Sequence, residues 1–238
     1  IALDKLGVIA FHRISKPIED NIFELLKPIF KRLAVSCQAS IEHQHLLHAI
    51  EARKKAEEAI RHLAFHDELT DLPNRRLLME CLTKDISRSI RHGFFGAILF
   101  LDLNRFKVIN DTLGHATGDQ LLIAVAKILE NIVRKEDTVA RLSGDEFVIQ
   151  FSKIATEENE SRQAVQSVLD KIHRVFSRPI RAGEHILHVT PSIGVEMYPN
   201  GDASADDILH HADTEMYQAK ALGANTSLFY DKQLSDDL

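Results

Sequence analysis

The stretch Arg141-Leu-Ser-Gly-Asp-Glu-Phe-Val-Ile-Gln-Phe151 decides the fold. Two short apolar-rich runs, residues 138–142 and 146–151, flank the tripeptide Ser143-Gly144-Asp145. A Gly-Asp pair between two strand-like runs predicts a tight hairpin, because glycine tolerates the positive φ that such a turn requires. The stretch therefore predicts two paired antiparallel strands with a polar tip.

The tip of this hairpin carries two adjacent carboxylates, Asp145 and Glu146. Like charges this close repel each other, and a turn by itself requires only one of them. A hard cation such as Mg²⁺ would offset the repulsion, since carboxylate oxygens are the ligands it prefers. A solvated acidic turn is the alternative, and it would be the better interpretation if the hairpin stood alone.

A second acidic position lies upstream of the hairpin. Residues 96–103, Gly-Ala-Ile-Leu-Phe-Leu-Asp-Leu, form a continuous apolar run that predicts a buried strand. Its one charge, Asp102, falls near the carboxyl end, where open α/β sheets commonly bind ligands. The alternative role for Asp102 is to cap the turn that follows the strand.

Five ordered motifs run through residues 66–230. They are Asp67-Glu-Leu-Thr-Asp-Leu-Pro-Asn-Arg-Arg76, Asp102-x-Asn104-x-Phe106-Lys107-x-x-Asn110-Asp111-x-x-Gly114-His115-x-x-Gly118-Asp119, Ser143-Gly-Asp-Glu-Phe147, Ser192-Ile-Gly-Val195 and Ala212-Asp-Thr-Glu-Met-Tyr-Gln-Ala-Lys220. Together they resemble the GGDEF domain of diguanylate cyclases, with Ser-Gly-Asp-Glu-Phe as a variant of the signature. A chance match of several motifs in the same order is very improbable.

The alternation of helical and strand patterns predicts an α/β fold with a mixed central sheet flanked by helices. The resemblance implies a domain like the catalytic domains of class III nucleotidyl cyclases, with an N-terminal helical extension. Within it, Thr117 and Gln120 are spaced as a capping box for a helix.

Three segments are expected. Residues 66–238 would form the GGDEF catalytic domain. Residues 40–65 contain neither Pro nor Gly and carry a thin apolar stripe, which predicts a helical linker or weak coiled coil; a solvated connector with no partner is the alternative. Residues 1–39, with a strand-like run over residues 6–12 and then a helical pattern, are interpreted as the C-terminal remnant of a sensor domain.

The resemblance implies a reaction that joins two GTP molecules into cyclic di-GMP and releases pyrophosphate. Each 3′-hydroxyl would attack the α-phosphorus of the other nucleotide, assisted by two Mg²⁺ or Mn²⁺ ions per active site. By the same resemblance, Asp102, the Leu103 carbonyl, Asp145 and Glu146 would hold the metal. Asp145 would assist deprotonation of the hydroxyl, and Lys107 would counter the developing phosphoryl charge.

Substrate contacts are likewise implied by the resemblance. Backbone N–H groups at a helix start would cradle the β- and γ-phosphates, two positions would read guanine, and a late lysine would contact phosphate. The expected substrate-binding residues are Asn104, Phe106, Lys107, Asn110, Asp119 and Lys220. Asp119 could instead be a partner of the helix dipole.

Two positions depart from the family pattern. Ser143 replaces the first glycine of the signature, which would cost strain if that position requires positive φ. Ala224 stands where the family often has arginine, so one charge near the triphosphate would be missing.

An inhibitory product site is a further expectation. Arg134-Lys-Glu-Asp137 precedes the signature at the offset where many members of the family carry an Arg-x-x-Asp motif that binds cyclic di-GMP. Arginine offers a planar fork to phosphate or to a guanine edge. Arg162 is expected as a second contact. The alternative is an exposed ion pair between Arg134 and Asp137, worth little.

Composition bounds the partners. The net charge of −6 and the dispersed Lys and Arg residues argue against nucleic-acid binding. Cys37 and Cys81 are too few for a disulfide framework, which favours a reducing, cytoplasmic location. The longest apolar run, residues 94–101, is too short to cross a bilayer, so we expect no membrane contact in this segment. Because the chain begins at Ile1, the full-length protein could still be anchored upstream.

The sequence thus predicts a homodimeric diguanylate cyclase with product feedback inhibition. A catalytically silent domain that binds cyclic di-GMP or GTP as a receptor module is the alternative. The intact acidic pair, Asp102 and Lys107 favour the enzyme, because a receptor has no need to keep them.

Overall fold

Six helices and seven strands make up the part of the chain that the computed structural model describes, residues 20–231. The helices are α1 (Asp20–Phe65), α2 (Arg75–His92), α3 (Phe106–Leu113), α4 (His115–Ile132), α5 (Glu158–Phe176) and α6 (Ala205–Leu222). The strands are β1 (Phe95–Leu103), β2 (Thr138–Ser143), β3 (Glu146–Ala155), β4 (Ile180–Ala182), β5 (His185–Leu187), β6 (Pro191–Tyr198) and β7 (Ser227–Phe229). The chain forms two compact units, one ending at Arg61 and the other beginning at His62.

A five-stranded sheet in the order β2-β3-β1-β6-β7 forms the centre of the second unit. The pairs β2–β3, β3–β1 and β1–β6 are antiparallel, whereas β6–β7 is parallel. The strands β4 and β5 form a separate two-stranded sheet. The predicted α/β fold with a mixed sheet is therefore confirmed.

Both faces of this sheet are covered, which is why β1 is apolar along almost its whole length. Leu99, Leu101 and Leu103 pack into one apolar cluster with residues of α4 and α5. Ile98 and Phe100 pack into a second cluster with residues of α2 and α6. Successive side chains of a strand point to opposite faces, so this alternation produces a helix–sheet–helix sandwich.

Gly194 allows α6 to lie close against the sheet. A Cβ atom added at Gly194 would stand 1.8 Å from the carbonyl oxygen of Ala212 and 2.3 Å from the backbone nitrogen of Met216. Both atoms belong to the backbone of α6, which cannot move aside without moving the helix. The glycine in Ser192-Ile-Gly-Val195 thus sets the distance between α6 and β6.

The predicted capping box on α4 is wrong. This helix begins at His115, and the Thr117 hydroxyl donates a 3.0 Å hydrogen bond back to the Leu113 carbonyl. Thr117 is therefore already inside the first turn, and Gly114 occupies the position before the helix.

The helix α1 covers the whole of the predicted linker and the end of the segment before it, with Pro28 inside it. Leu46, Leu47, Ile50, Ile60 and Leu63 of the predicted apolar stripe are all exposed. The expected strand over residues 6–12 lies outside the described residues. Among residues 20–231, no helix is both long and apolar enough to cross a membrane.

Candidate active site

A row of polar side chains crosses one end of the five-stranded sheet. Glu146 on β3 lies opposite Asp102 on β1 and opposite Ser143 on β2. Asp102 in turn lies opposite Ser192 on β6. Directly opposed residues on antiparallel strands share a face of the sheet. The register therefore brings two predicted metal ligands side by side, between two serine hydroxyls.

The hairpin between β2 and β3 forms at the predicted residues. Gly144 adopts the left-handed conformation with φ of 47°, whereas Ser143 is not among the described residues with positive φ. The backbone strain considered for a serine at this position therefore does not arise. The Ser143 hydroxyl instead donates a 2.6 Å hydrogen bond to Glu146 Oε2.

Asp145, at the tip of the hairpin, stands close to Asp102 and Lys220. Burial and the negative charge of Asp102 raise the pKa of Asp145, although the Lys220 ammonium acts in the opposite direction. Lys220 comes from the last turn of α6, and its Nζ lies 2.7 Å from Asp102 Oδ1. Asp102 and Asp145 thus lie near one ammonium group, with Glu146 opposite Asp102 on the sheet, and the excess negative charge favours a further cation.

The donor chemistry of this cluster fits a hard divalent cation, because all three side chains offer carboxylate oxygens. Leu103 can add only its backbone carbonyl, since its side chain is buried in the core. Within residues 20–231, no three His, Cys, Asp or Glu side chains stand close enough together to hold a metal ion in this arrangement. Here the Asp102 carboxylate is paired with Lys220. The metal assignment therefore stays a prediction.

The segment after β1 presents the start of a helix close to this cluster. No side chain caps the N-terminus of α3, so its first backbone N–H groups remain available to an anion. Phe106 is buried and anchors the helix, whereas Lys107 is exposed. The Asn104 amide donates to Thr190 Oγ1 at 3.3 Å and its Oδ1 accepts from the Ser192 hydroxyl at 3.1 Å. These bonds tie the segment to β6.

The two predicted guanine-reading residues belong to α3 and α4. Asn110 packs against Gly118, where an added Cβ atom would stand 1.9 Å from Asn110 Oδ1. That oxygen is buried and has no hydrogen-bond partner among the described residues. Asp119 is exposed and lies in the second turn of α4, beyond the first turn in which the helix dipole acts. The dipole interpretation of Asp119 is accordingly weak.

Arg141 connects the hairpin to the turn at residues 67–73, a contact that the sequence did not reveal. Its Nη1 donates to both carboxylate oxygens of Asp67, at 2.8 and 2.9 Å. Its Nε and Nη2 donate to the Gly144 carbonyl, at 3.0 and 2.8 Å. Burial acts to raise the pKa of Asp67, but hydrogen bonds from Thr70 and Arg141 outweigh it and hold that pKa below its ordinary value. Arg141 is thus a positioning residue for the turn that carries Asp145.

The predicted inhibitory turn is built differently from an exposed ion pair. The Asp137 carboxylate accepts hydrogen bonds from the backbone N–H groups of Arg134 at 3.0 Å and Ser152 at 3.4 Å. Burial raises the pKa of Asp137, although these bonds act to lower it. The exposed Arg134 forms no ion pair with Asp137 in the described chain. Both residues line a cavity of about 100 Å³ whose other walls are mostly apolar.

Arg162 lies elsewhere in the domain. Its guanidinium stands 4.5 Å from the centre of the Phe229 ring. It lines a larger cavity of about 610 Å³ together with Glu196 and Asn200. Within one chain, the structure therefore does not bring Arg162 together with Arg134 and Asp137.

Comparison with known proteins identifies the family of the chain. The family model described as "Diguanylate cyclase, GGDEF domain" matches residues 64–226. The chain belongs to this family. This GGDEF domain is 39% identical over 173 residues to the bifunctional diguanylate cyclase/cyclic di-GMP phosphodiesterase MucR of Pseudomonas aeruginosa, a match that covers 73% of this chain and 24% of MucR.

Two solved structures share the fold of the GGDEF domain. One contains only the GGDEF domain of TpbB from Pseudomonas aeruginosa, with a TM-score of 0.67 and 33% identity over 72% of this chain and 98% of that one. The other is the coiled coil and GGDEF domain of DgcB from Caulobacter crescentus in complex with c-di-GMP. It has a TM-score of 0.70 and 25% identity over 82% of this chain and 99% of that one. The chain spans about a quarter of the length of MucR.

Arg141→Met should raise the pKa of Asp67. In the natural protein the depressed pKa means that this carboxylate stabilises the fold above its ordinary pKa of about 3.9. That contribution is lost as the pH falls through the lower folded value. Without the guanidinium, Arg141 no longer offsets the burial that raises the pKa of Asp67. The stabilisation that the Asp67 carboxylate contributes therefore becomes smaller. Titration of the Asp67 carboxyl by ¹³C NMR measures the shift.

Arg91→Met, at an exposed position of α2, is the control and should leave the pKa of Asp67 unchanged. An unchanged pKa of Asp67 in Arg141→Met would contradict the assignment.

Proposed function

We propose that this GGDEF domain is an active diguanylate cyclase that condenses two GTP molecules into cyclic di-GMP and pyrophosphate. The observation that carries this proposal is that Asp102 and Asp145 lie near Lys220 at one end of the sheet, where Glu146 stands opposite Asp102. Neighbouring carboxylates repel each other, and a bound divalent cation would offset that repulsion. The helix α3 begins at Phe106, shortly after Asp102 in the chain, and phosphates would bind at its N-terminus.

In this proposal Asp102, the Leu103 carbonyl, Asp145 and Glu146 hold two Mg²⁺ or Mn²⁺ ions. When bound, such ions neutralise phosphate charge and make a 3′-hydroxyl easier to deprotonate. Asp145 accepts the proton of that hydroxyl. The 3′ oxygen then forms its bond to the α-phosphorus as the bond to the pyrophosphate group breaks. Lys107 compensates the charge that develops on the phosphates.

Substrate recognition rests on the α3–α4 pair. Asp119 can accept from guanine N1–H and from the 2-amino group, neither of which adenine offers. The buried, unpaired Oδ1 of Asn110 supports a role for this amide in binding a base. The backbone N–H groups of Phe106 and Lys107 would hold the β- and γ-phosphates, whereas that of Asn104 is already bonded to the Thr190 carbonyl at 2.9 Å. Lys220 would leave Asp102 to contact phosphate.

A homodimer follows from the stoichiometry of the reaction. One phosphodiester requires two nucleotides face to face, whereas each domain has a single set of guanine-reading residues, so a two-fold pair of domains is needed. The exposed apolar residues of α1 support this helix as the pairing element. We interpret the domain arrangement as a sensor remnant followed by a linker over residues 40–65 and a catalytic domain over residues 66–238.

A receptor module without catalysis is the alternative function, and Asp145→Asn distinguishes the two. The substitution keeps the hairpin and removes one ligand charge and the proton acceptor. We expect product formation to fall by about 10²–10⁴-fold, the range for a lost general base. Chromatographic separation of nucleotides after incubation with GTP and Mg²⁺ gives the rate. The control is Asp202→Asn, at an exposed turn away from the cluster, which should retain turnover. Natural turnover in Asp145→Asn would refute the assignment.

Turnover per domain should rise with protein concentration if two domains share each reaction. Ile50→Glu, which places a charge in the exposed apolar stripe of α1, should shift that rise to higher concentration. Gln44→Glu adds the same charge at an exposed position outside the predicted stripe and is the control. Analytical ultracentrifugation at the assay concentrations measures the dimer. Specific activity that stays flat from dilute monomer to concentrated dimer would rule out the shared site.

Product inhibition is the second part of the proposal, with Arg134, Asp137 and Arg162 as the contacts of cyclic di-GMP. The complex of DgcB with c-di-GMP supports this ligand for a related domain. Because Asp137 fastens the turn through two backbone hydrogen bonds, the exposed Arg134 is the better residue to test. Arg162, in a separate cavity, would act from a second domain.

Arg134→Ala should weaken inhibition by cyclic di-GMP about tenfold or more, since a charge-assisted hydrogen bond contributes about 1.5–3 kcal/mol. The uninhibited rate should stay unchanged. Titration calorimetry with cyclic di-GMP gives the affinity, and Lys135→Ala removes a neighbouring exposed charge as the control. Equal affinity in the natural protein and Arg134→Ala would exclude this site.

A further inference from the structure

Ser143 takes the place of a signature glycine, and its side chain has a specific contact. It is the last residue of β2 and lies opposite Glu146, the first residue of β3. Its hydroxyl donates to Glu146 Oε2 at 2.6 Å. This length is typical of a hydroxyl bound to an ionised carboxylate, the stronger class of hydrogen bond. Glycine at the same position could not form it.

The negative charges around Glu146 explain what this hydrogen bond can do for its side chain. Asp102 lies opposite Glu146 on β1 and Asp145 precedes it in the chain, so two carboxylates repel the Glu146 side chain. The Lys220 ammonium is bound to Asp102. Repulsion would favour rotamers that turn Glu146 toward solvent, away from the other carboxylates. The Ser143 hydroxyl lies on the β2 side of Glu146, away from Asp102, and it restricts the rotamers of Glu146 by holding one carboxylate oxygen there.

The bond also leaves Glu146 able to bind a cation. An ionised carboxylate has about four lone-pair sites, and the hydroxyl uses one of them. Holding a glutamate in one rotamer in advance removes an ordering cost of up to about 2 kcal/mol from the binding step. Hydrogen-bond partners that orient ligating carboxylates commonly change metal affinity by 10–100-fold.

We propose that Ser143 is a positioning residue that holds Glu146 for the divalent cation, so that this chain binds the ion more tightly than it would with the usual glycine. The inference rests on the proposed function, because it takes Glu146 as a cation ligand. It gives serine at this position a role beyond the sequence-based expectation, which considered only a strain cost if the position required positive φ.

Mn²⁺ binding tests this proposal without turnover. The free Mn²⁺ signal in electron paramagnetic resonance is measured during titration of the protein with a GTP analogue that carries a non-hydrolysable α,β-methylene bridge. Ser143→Ala and Ser143→Gly should each raise the Kd for Mn²⁺ about tenfold. Ser143→Thr keeps the hydroxyl and should stay within about twofold of the natural protein. Melting temperatures check that the variants remain folded.

A second pair of variants tests whether Ser143 acts through Glu146. In a Glu146→Gln background, Ser143→Ala should add no further loss of affinity, because the bond to an ionised carboxylate is already gone. A full tenfold loss in that background would overturn the proposal, and so would failure of Ser143→Thr to preserve affinity.

The outcomes separate the inference from the proposed function. Equal Kd values in the natural protein and Ser143→Ala overturn the role of Ser143, whatever the turnover is. A natural protein that binds no Mn²⁺ overturns the metal assignment and the inference with it. A natural protein that binds Mn²⁺ in this Ser143-dependent way but makes no cyclic di-GMP supports the inference and rejects the catalytic function.

Discussion

The register between β1 and β3 is the constraint on which the candidate site depends. It sets Asp102 opposite Glu146 and extends the polar row to Ser143 on one side and Ser192 on the other. A shift of one residue would turn Asp102 toward the apolar layer formed with α4 and α5. Leu99, Leu101 and Leu103 fill that layer, so the burial of leucines fixes the position of the carboxylate. Packing and chemistry are thus specified by the same alternation.

Other parts of the domain bring charge to the end of this row. The helix α6 lies close to β6 because Gly194 has no side chain, and its last turn carries Lys220 to Asp102. Arg141 joins the hairpin carbonyl of Gly144 to the carboxylate of Asp67. Asp67 directly follows His66, near the end of α1, so the turn after this helix is bonded to the hairpin that holds Asp145.

The parts of the site that local patterns encode could be predicted from the sequence. The hairpin follows from a Gly-Asp pair between apolar runs, and the placement of Asp102 follows from one charge at the end of an apolar strand. The pairing of Arg141 with Asp67 could not be foreseen, because 74 residues separate them and no local pattern links them. The hydrogen bond of Ser143 was missed because the sequence gives only the residue type, whereas the register decides what the hydroxyl meets. The prediction of a capping box at Thr117 was wrong because α4 begins directly after Gly114, so Thr117 already lies inside its first turn.

Product formation by the natural protein tests the central claim most directly. Purified protein is incubated with GTP and Mg²⁺, and the nucleotides and pyrophosphate are quantified over time. The account predicts cyclic di-GMP and pyrophosphate in a ratio of about one to two, as two bonds to pyrophosphate break for each product formed. It also predicts no cyclic product from ATP. Binding of GTP or cyclic di-GMP with no product at any protein concentration would contradict a cyclase and identify the domain as a receptor.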